Sequence, residues 1–237
     1  MKVIYITGTS RGLGKALAEQ YLENGDLVVG MSRSSTIKHA NYQHIPVDLS
    51  DIEKLEKIVF RPTDNAESYI LINNAGTLGE VKYVGSMDSL MIAKAVNLNV
   101  TAPMVLANKF MDALCNEKSP KYVLNIGSGA GSSAIDGWSV YCSSKAAINM
   151  FGEVFDKELM LKDSNCKVRT LAPGIIDTEM QSEIRQASQE HFSELKRFED
   201  YKKNNDLNSA SEVAAKIISN FNLIFKNRDA VQSIRNY

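Results

Sequence analysis

The sequence lacks the marks of several broad protein classes. Its 237 residues hold three cysteines, Cys115, Cys142 and Cys166. The number is odd and there is no C-x-x-C pair, so the thiols read as reduced and packed, as in a cytoplasmic protein. Neither sign of charge dominates: 27 Lys and Arg face 28 Asp and Glu for a net charge of −1, with no long basic block. Non-specific binding to nucleic acid or to a membrane surface is therefore not expected, and a small molecule is the expected partner. No apolar run reads as a membrane span. The opening Met1 to Ile6 is apolar but stops at Thr7-Gly8, too short for a signal h-region and without a cleavage site. Internal repeats and low-complexity segments are absent, and no metal site is predicted.

What remains is an even chain, 44% hydrophobic, that fits one α/β domain over residues 1–237 with a sizeable core. Strand-length apolar runs at 3–7, 27–31, 69–73, 121–127 and 167–172 read as strands buried on both faces. Helical patterns lie between them at 12–24, 51–60, 87–115 and 139–161. This alternation predicts a doubly wound parallel sheet of Rossmann type, flanked by helices, that binds ligands at the carboxyl edge of its strands. Gly8, Ser32, Asn74, Ser128 and Pro173-Gly174 fall at that edge. Residues 175–208 are charged and helical in tendency, and read either as a helical flap over the site or as a solvated excursion. Ser209 to Glu212 offers a capping signal for a last helix at 213–225, and the final residues can add a short edge strand.

Tyr141 and Lys145 lie four apart in the predicted 139–161 helix, on one face and roughly 5 to 6 Å apart at Cβ. A phenol titrates near ~10, so acid or base work at neutral pH asks for a lower value, and a neighbouring ammonium supplies it. Ser128, upstream, can bring a hydroxyl to the same reacting carbonyl. The same spacing also occurs as an ordinary boundary stripe, so the pair needs its context.

That context begins with Thr7-Gly8-Thr9-Ser10-Arg11-Gly12-Leu13-Gly14, joining the first strand to the first helix. Such glycines permit a tight turn and close approach of a pyrophosphate, which the helix N-terminus favours. At the end of the second strand no acid is present to hold a ribose 2′-hydroxyl. Ser32-Arg33-Ser34-Ser35 stands there instead, suited to the 2′-phosphate of NADP(H), and Arg11 could approach the same group. Asp48, followed by Leu49, reads equally as a partner for the adenine amino group or as a helix cap.

Together these residues resemble the short-chain dehydrogenase/reductase family over essentially the whole chain. The family's T-G-x-x-x-G-x-G appears at Thr7 to Gly14, its N-N-A-G at Asn73 to Gly76, its Y-x-x-x-K at Tyr141 to Lys145 and its P-G at Pro173-Gly174. The resemblance implies an NADPH-dependent reductase in which Tyr141 donates a proton to the substrate oxygen and Ser128 holds that oxygen. Lys145 would tune Tyr141 and bind the nicotinamide ribose, and Asn99 would hold a relay water. Asn74, Ala75 and Gly76 would line the ribose, while Pro173, Gly174, Ile176 and Thr178 would hold the nicotinamide end.

A narrower similarity, carried by Gly137 to Lys145 and by Asp177-Thr178-Glu179-Met180-Gln181, is to sepiapterin reductases and to bacterial reductases of aromatic 1,2-diketones such as benzil. Trp138 would then wall a flat carbonyl substrate, or be core. Asp177 would contact that substrate or cap the next helix, with the cap favoured. Gln232 to Tyr237 lacks the aspartate that anchors pterin in sepiapterin reductases, which favours a broader ketone or diketone reductase. A 3-ketoacyl reductase and a non-catalytic NADP-binding regulator are the alternatives, and relatives predict a homodimer or homotetramer.

Overall fold

The computed structural model describes residues 1–237. Its elements in chain order are β1 (Val3–Thr7), α1 (Gly12–Glu23), β2 (Leu27–Ser32), β3 (Tyr42–Pro46), α2 (Ile52–Glu56), β4 (Tyr69–Asn73), α3 (Ser89–Val96), α4 (Ala102–Ala113), β5 (Lys121–Ile126), α5 (Ser139–Leu161), β6 (Cys166–Ala172), α6 (Glu179–Arg185), α7 (Leu195–Lys203), α8 (Ala210–Ser219), α9 (Phe221–Lys226) and β7 (Val231–Ser233). The seven strands form one parallel sheet in the order β3-β2-β1-β4-β5-β6-β7.

The pleat sorts the strand side chains onto two faces. Val3, Tyr5, Val29, Met31, Leu71 and Val123 pack under α4, against Leu106 and Phe110. The alternate residues Ile4, Ile6, Val28, Ile70, Ile72 and Leu124 pack under α1, α8 and α9, with Leu17, Tyr21, Ile217 and Ile224. Both faces are dry, which is why the strands read as continuous apolar runs. At about 2 kcal/mol per fully buried large apolar side chain, these two layers dominate the folding free energy.

Several predicted boundaries move, each for a local reason. The 51–60 helix is only α2, capped by Asp51, which accepts from the Lys54 amide at 3.2 Å. Beyond it Ile58 and Phe60 are buried while Val59 is exposed, a two-residue alternation that only extended chain can provide. The 87–115 helix starts after Asp88, which accepts from the Leu90 and Met91 amides, and is interrupted by a π turn at Asn97–Thr101. Pro103, two residues into α4, has no N–H to give and its ring crowds the carbonyl four residues back, that of Asn99. Taken as one helix, Ser89–Ala113 is long and apolar enough to cross a membrane, with a mean hydropathy of 1.5, contrary to the expectation that no such segment exists. Its Leu106 and Phe110 face is buried against the sheet. The 213–225 helix divides at Asn220, whose side chain donates to the Lys216 carbonyl at 2.8 Å.

Residues 175–208 form an excursion tied at its base by two main-chain hydrogen bonds, Asp177 N to Asn208 O at 2.9 Å and Asn208 N to Ile175 O at 3.1 Å. Ile184, Phe192 and Phe198 from it are buried with Leu78, Ala130, Trp138 and Tyr141. The solvated reading is thereby overturned.

Candidate active site

The carboxyl ends of β1, β2, β4, β5 and β6 open onto one cavity of about 1110 Å³, larger than the ~300–1,000 Å³ of most small-molecule sites. Gly8, Ser10, Arg11, Gly12, Leu13, Ser32, Arg33, Asp48, Leu49, Asn74, Ala75, Gly76, Ser128, Trp138, Tyr141, Lys145, Pro173, Gly174, Ile176, Asp177 and Thr178 all line it. Gly14 and Asn99 stand behind the wall.

One end suits a dinucleotide. Gly8 adopts φ +75°, and a Cβ there would sit 3.0 Å from the Asn74 side-chain nitrogen. Arg11, the N-cap of α1, makes no side-chain cap bond, so the helix's first N–H groups are available to an anion. A Cβ on Gly14 would collide with the Asn74 amide and the Gly8 carbonyl oxygen. Its place is the close packing of α1 on β1 rather than contact with a ligand.

Three expectations at this end are corrected. Ser32 lines the cavity, but its hydroxyl is committed to the protein: it donates to Ser34 O at 2.7 Å and meets Thr9 and His44 at 3.2 and 3.1 Å. Arg11 is paired across the cavity mouth with Glu179 and Glu183 of α6 instead of turning to the end of β2. Asp48 caps no helix; it accepts from the Ser50 amide and hydroxyl at 3.0 and 2.8 Å. Those bonds first, and Arg33 less strongly, hold its carboxyl below the usual range. The Thr9, Ser32, Tyr42 and His44 cluster that fixes this corner escaped sequence reasoning because its members lie on three elements.

At the other end α5 brings Tyr141 and Lys145 to one face, with Lys145 Nζ 5.7 Å from the phenol ring centre. Both are buried, at 7% and 6% exposure. Lys145 Nζ donates to the Ile126 carbonyl at 2.8 Å, and burial pushes its pKa down to about 8. The Tyr141 phenol was expected to titrate low beside this ammonium, but its pKa is raised. Burial dominates, and the nearby Ser128 hydroxyl opposes it without prevailing. A raised phenol stays protonated at neutral pH, the form a proton donor needs. Ser128 also accepts from the Ala130 amide at 3.2 Å, which orients its hydroxyl.

Asn99 is held by the π turn. Its side chain accepts from Thr77 N at 2.9 Å and donates to Thr77 O and Ser144 Oγ at 2.8 and 3.1 Å. Both side-chain donors are used in joining the loop after β4 to α5, so none is left for a water.

The substrate end is aromatic. Trp138 stacks on Phe192 with centroids 5.4 Å apart, meets Phe198 at 5.2 Å, and lies near-perpendicular to the Tyr141 ring at 5.7 Å and 87°. Trp138 is thus both core and cavity wall. Phe192, Phe198, Ile184 and Tyr201 were not foreseen, since nothing local separates them from surface residues of a charged stretch. Asp177 does not cap α6, whose N-cap Thr178 makes no side-chain bond. It lines the cavity and accepts from Lys202 Nζ of α7 at 2.6 Å.

Residues 2–189 match the model of the short chain dehydrogenase family. The chain belongs to that family. It is accordingly an oxidoreductase of the carbonyl–alcohol pair that works with a nicotinamide cofactor. It is 37% identical to a benzil reductase ((S)-benzoin forming) of Bacillus cereus over 92% of each chain. Identity is 34% to a benzil reductase of Bacillus subtilis over 92% of this chain and 93% of that one, and 30% to a sepiapterin reductase of Rattus norvegicus over 78% of each. Among solved structures, a short-chain dehydrogenase/reductase of Saccharomyces cerevisiae superposes with a TM-score of 0.82 at 26% identity, covering 99% of this chain and 96% of that one.

Proposed function

We propose that the protein is an NADPH-dependent reductase of aromatic ketones or 1,2-diketones, acting in the cytoplasm as a homodimer or homotetramer. The observation that carries this reading is the Tyr141 phenol, buried and so kept protonated, in the same cavity wall as Ser128 and with its ring near-perpendicular to that of Trp138 in an aromatic chamber. The benzil reductases at 34–37% identity support the same substrate class.

When bound, NADPH supplies a hydride to the substrate carbonyl carbon. The rest falls to the chain. Ser128 donates a hydrogen bond to the carbonyl oxygen and holds it against Tyr141, whose phenol gives up its proton as negative charge develops on that oxygen. Lys145, charged at neutral pH, stabilises the resulting phenolate electrostatically, and its remaining donors are available to a ribose hydroxyl. The main-chain carbonyl of Asn99, deprived of a helical donor by Pro103, is the group that can hold a relay water. Ala75 and Gly76 line the ribose, while Pro173, Gly174, Ile176 and Thr178 form the wall of the nicotinamide end. Residues 175–208 act as the flap that closes the substrate end from water.

The choice of NADP rests on Arg33, exposed at the end of β2 in the cavity wall with no acid on that strand end. Self-association is supported by Leu90, Met91 and Val96 of α3 with Met150 and Val154 of α5, all exposed apolar side chains. Purified protein given NADPH and a panel of benzil, simple aryl ketones and pterins should oxidise NADPH fastest with the aromatic diketones. Absence of turnover with every carbonyl on the panel would remove the proposal.

A further inference from the structure

Residues 178–207 make few directed contacts with the chain outside the 175–208 excursion. Apart from the exposed Arg11 pairs, the only hydrogen bonds between the two run from Ser193, whose amide and hydroxyl both donate to the Asp136 carboxylate at 2.8 Å. Tyr83 gives its hydroxyl proton to the same carboxylate at 3.0 Å. These bonds, the Ser193 amide's first, hold the Asp136 carboxyl below the usual range. The main chains also come close here. Trp138 N closes a turn on Ile135 O at 3.2 Å, Gly137 within that turn adopts φ +73°, and a Cβ on it would collide with the His191 carbonyl oxygen.

Asp136 stands two residues before Trp138, and Ser193 follows Phe192, which stacks on Trp138 at 5.4 Å and 11°. Phe192 lies between α6 and α7, so no helix fixes the direction of its ring. It backs Trp138, which lines the cavity. Burial at 0% exposure keeps Phe192 against the body, but burial is non-directional, and hydrogen bonds carry the direction. We propose that Asp136 is a positioning residue for the substrate chamber: its carboxylate clamps Ser193, so that Phe192 stays stacked behind Trp138 and the indole keeps its place in the cavity wall. Ser128 follows β5, and Tyr141 and Lys145 stand on α5. The clamp therefore acts on the binding of a ring against Trp138 and not on the chemical step, a consequence that rests on the carbonyl-reductase reading.

Trp138 is the chain's one tryptophan and is 6% exposed, so its fluorescence reads the clamp without turnover. Asp136→Ala should raise the acrylamide quenching constant of Trp138 at least about twofold in protein that thermal unfolding shows to be folded. Ser193→Ala, which loses one of the two Ser193 bonds, should shift quenching the same way by less, and the double variant should match D136A. In kinetics D136A should raise the KM for benzil about 5- to 20-fold with kcat within about threefold. The KM values for NADPH and for 2,3-butanedione, which has no ring to lie on the indole, should stay within about twofold. Unchanged quenching in D136A, or in S193A should D136A not fold, overturns the clamp. So does a KM rise shared by benzil, 2,3-butanedione and NADPH, which is general loosening. A native protein that reduces no carbonyl, but whose variants show the quenching series, keeps the clamp and loses the reductase reading.

Discussion

Replacing Lys145 by Met should abolish turnover yet change the pH dependence of stability in a direction fixed by burial. The lysine's pKa falls from its ordinary 10.5 to about 8 because the ammonium is taken out of water. At ~1.4 kcal/mol per pKa unit, holding it charged in the folded state at neutral pH costs about 3 kcal/mol. Above pH 8 the folded chain releases that proton, while the unfolded chain keeps it until about 10.5, the lysine's ordinary value. The unfolded state then binds more protons, so this group's contribution to stability rises with pH across that window and is flat below it. Lys145→Met lacks the term. It also loses the bond to the Ile126 carbonyl, about 1.5–3 kcal/mol for a charged donor, so at pH 7 the two proteins should be close in stability or the variant slightly ahead. Burial also lowers the pKa of Lys121 and raises those of Cys166 and Tyr21, but these groups are present in both chains and cancel in the difference. Urea unfolding of both proteins at pH 7, 8.5 and 10 should show native minus variant stability climbing by about 2–3 kcal/mol. A difference flat to within about 0.5 kcal/mol would refute the burial argument.

Tyr141→Phe should cut kcat about 10²- to 10⁴-fold while leaving the KM for NADPH nearly unchanged, because the phenol's proton is used only in the chemical step; steady-state kinetics would show a KM effect instead if the residue served binding. Arg33→Ala should raise the KM for NADPH about 10- to 100-fold and leave that for NADH alone; equal losses with both cofactors would remove the ground for NADP. Gly14→Ala should lower stability by at least the ~1–3 kcal/mol of a core overpacking, since the new Cβ meets the Gly8 carbonyl and the Asn74 amide. A melting temperature unchanged from the native protein's would contradict the packing role.

The sheet was legible wherever strands are dry on both faces. The runs at 3–7 and 69–73 were bounded correctly because five consecutive buried residues leave no other reading. β3 was not delimited because it is an edge strand, half-buried, in which Gln43, His44 and Pro46 break any apolar run. The predicted cavity residues were readable because glycine spacing and the Tyr141–Lys145 offset are local signals. The packing of Phe192 and Phe198 on Trp138, the Arg11 pairing and the occupied Ser32 hydroxyl are products of contacts between distant segments. Pro103 alone hinted at the π turn, through the carbonyl it cannot serve. The direction of the Tyr141 pKa was misjudged for a related reason: sequence spacing shows the neighbouring charge but not the depth of burial, and depth prevails.

The same balance decides what holds the 175–208 excursion in place. Its ion pairs to the body, Arg11 with Glu179 and Glu183, join side chains that are each more than half exposed, and such pairs contribute only about 0–1 kcal/mol. Ile184, Phe192 and Phe198, at 2%, 0% and 6% exposure, each gain about 1.5–3 kcal/mol from burial. The position of α6 is therefore set from the substrate side, by aromatic packing on Trp138, while Arg11 adds orientation at the cofactor side. A seven-residue helix held this way forms part of the wall of both ends of the cavity. Glu179 and Glu183 border the glycine-rich loop, and Gln181 and Ile184 border the chamber that contains Tyr141. Coupling between two sites is reciprocal, and the link from α6 to the glycine-rich loop is these exposed ion pairs, so α6 passes no more than about 1 kcal/mol between the aromatic chamber and the cofactor loop in either direction.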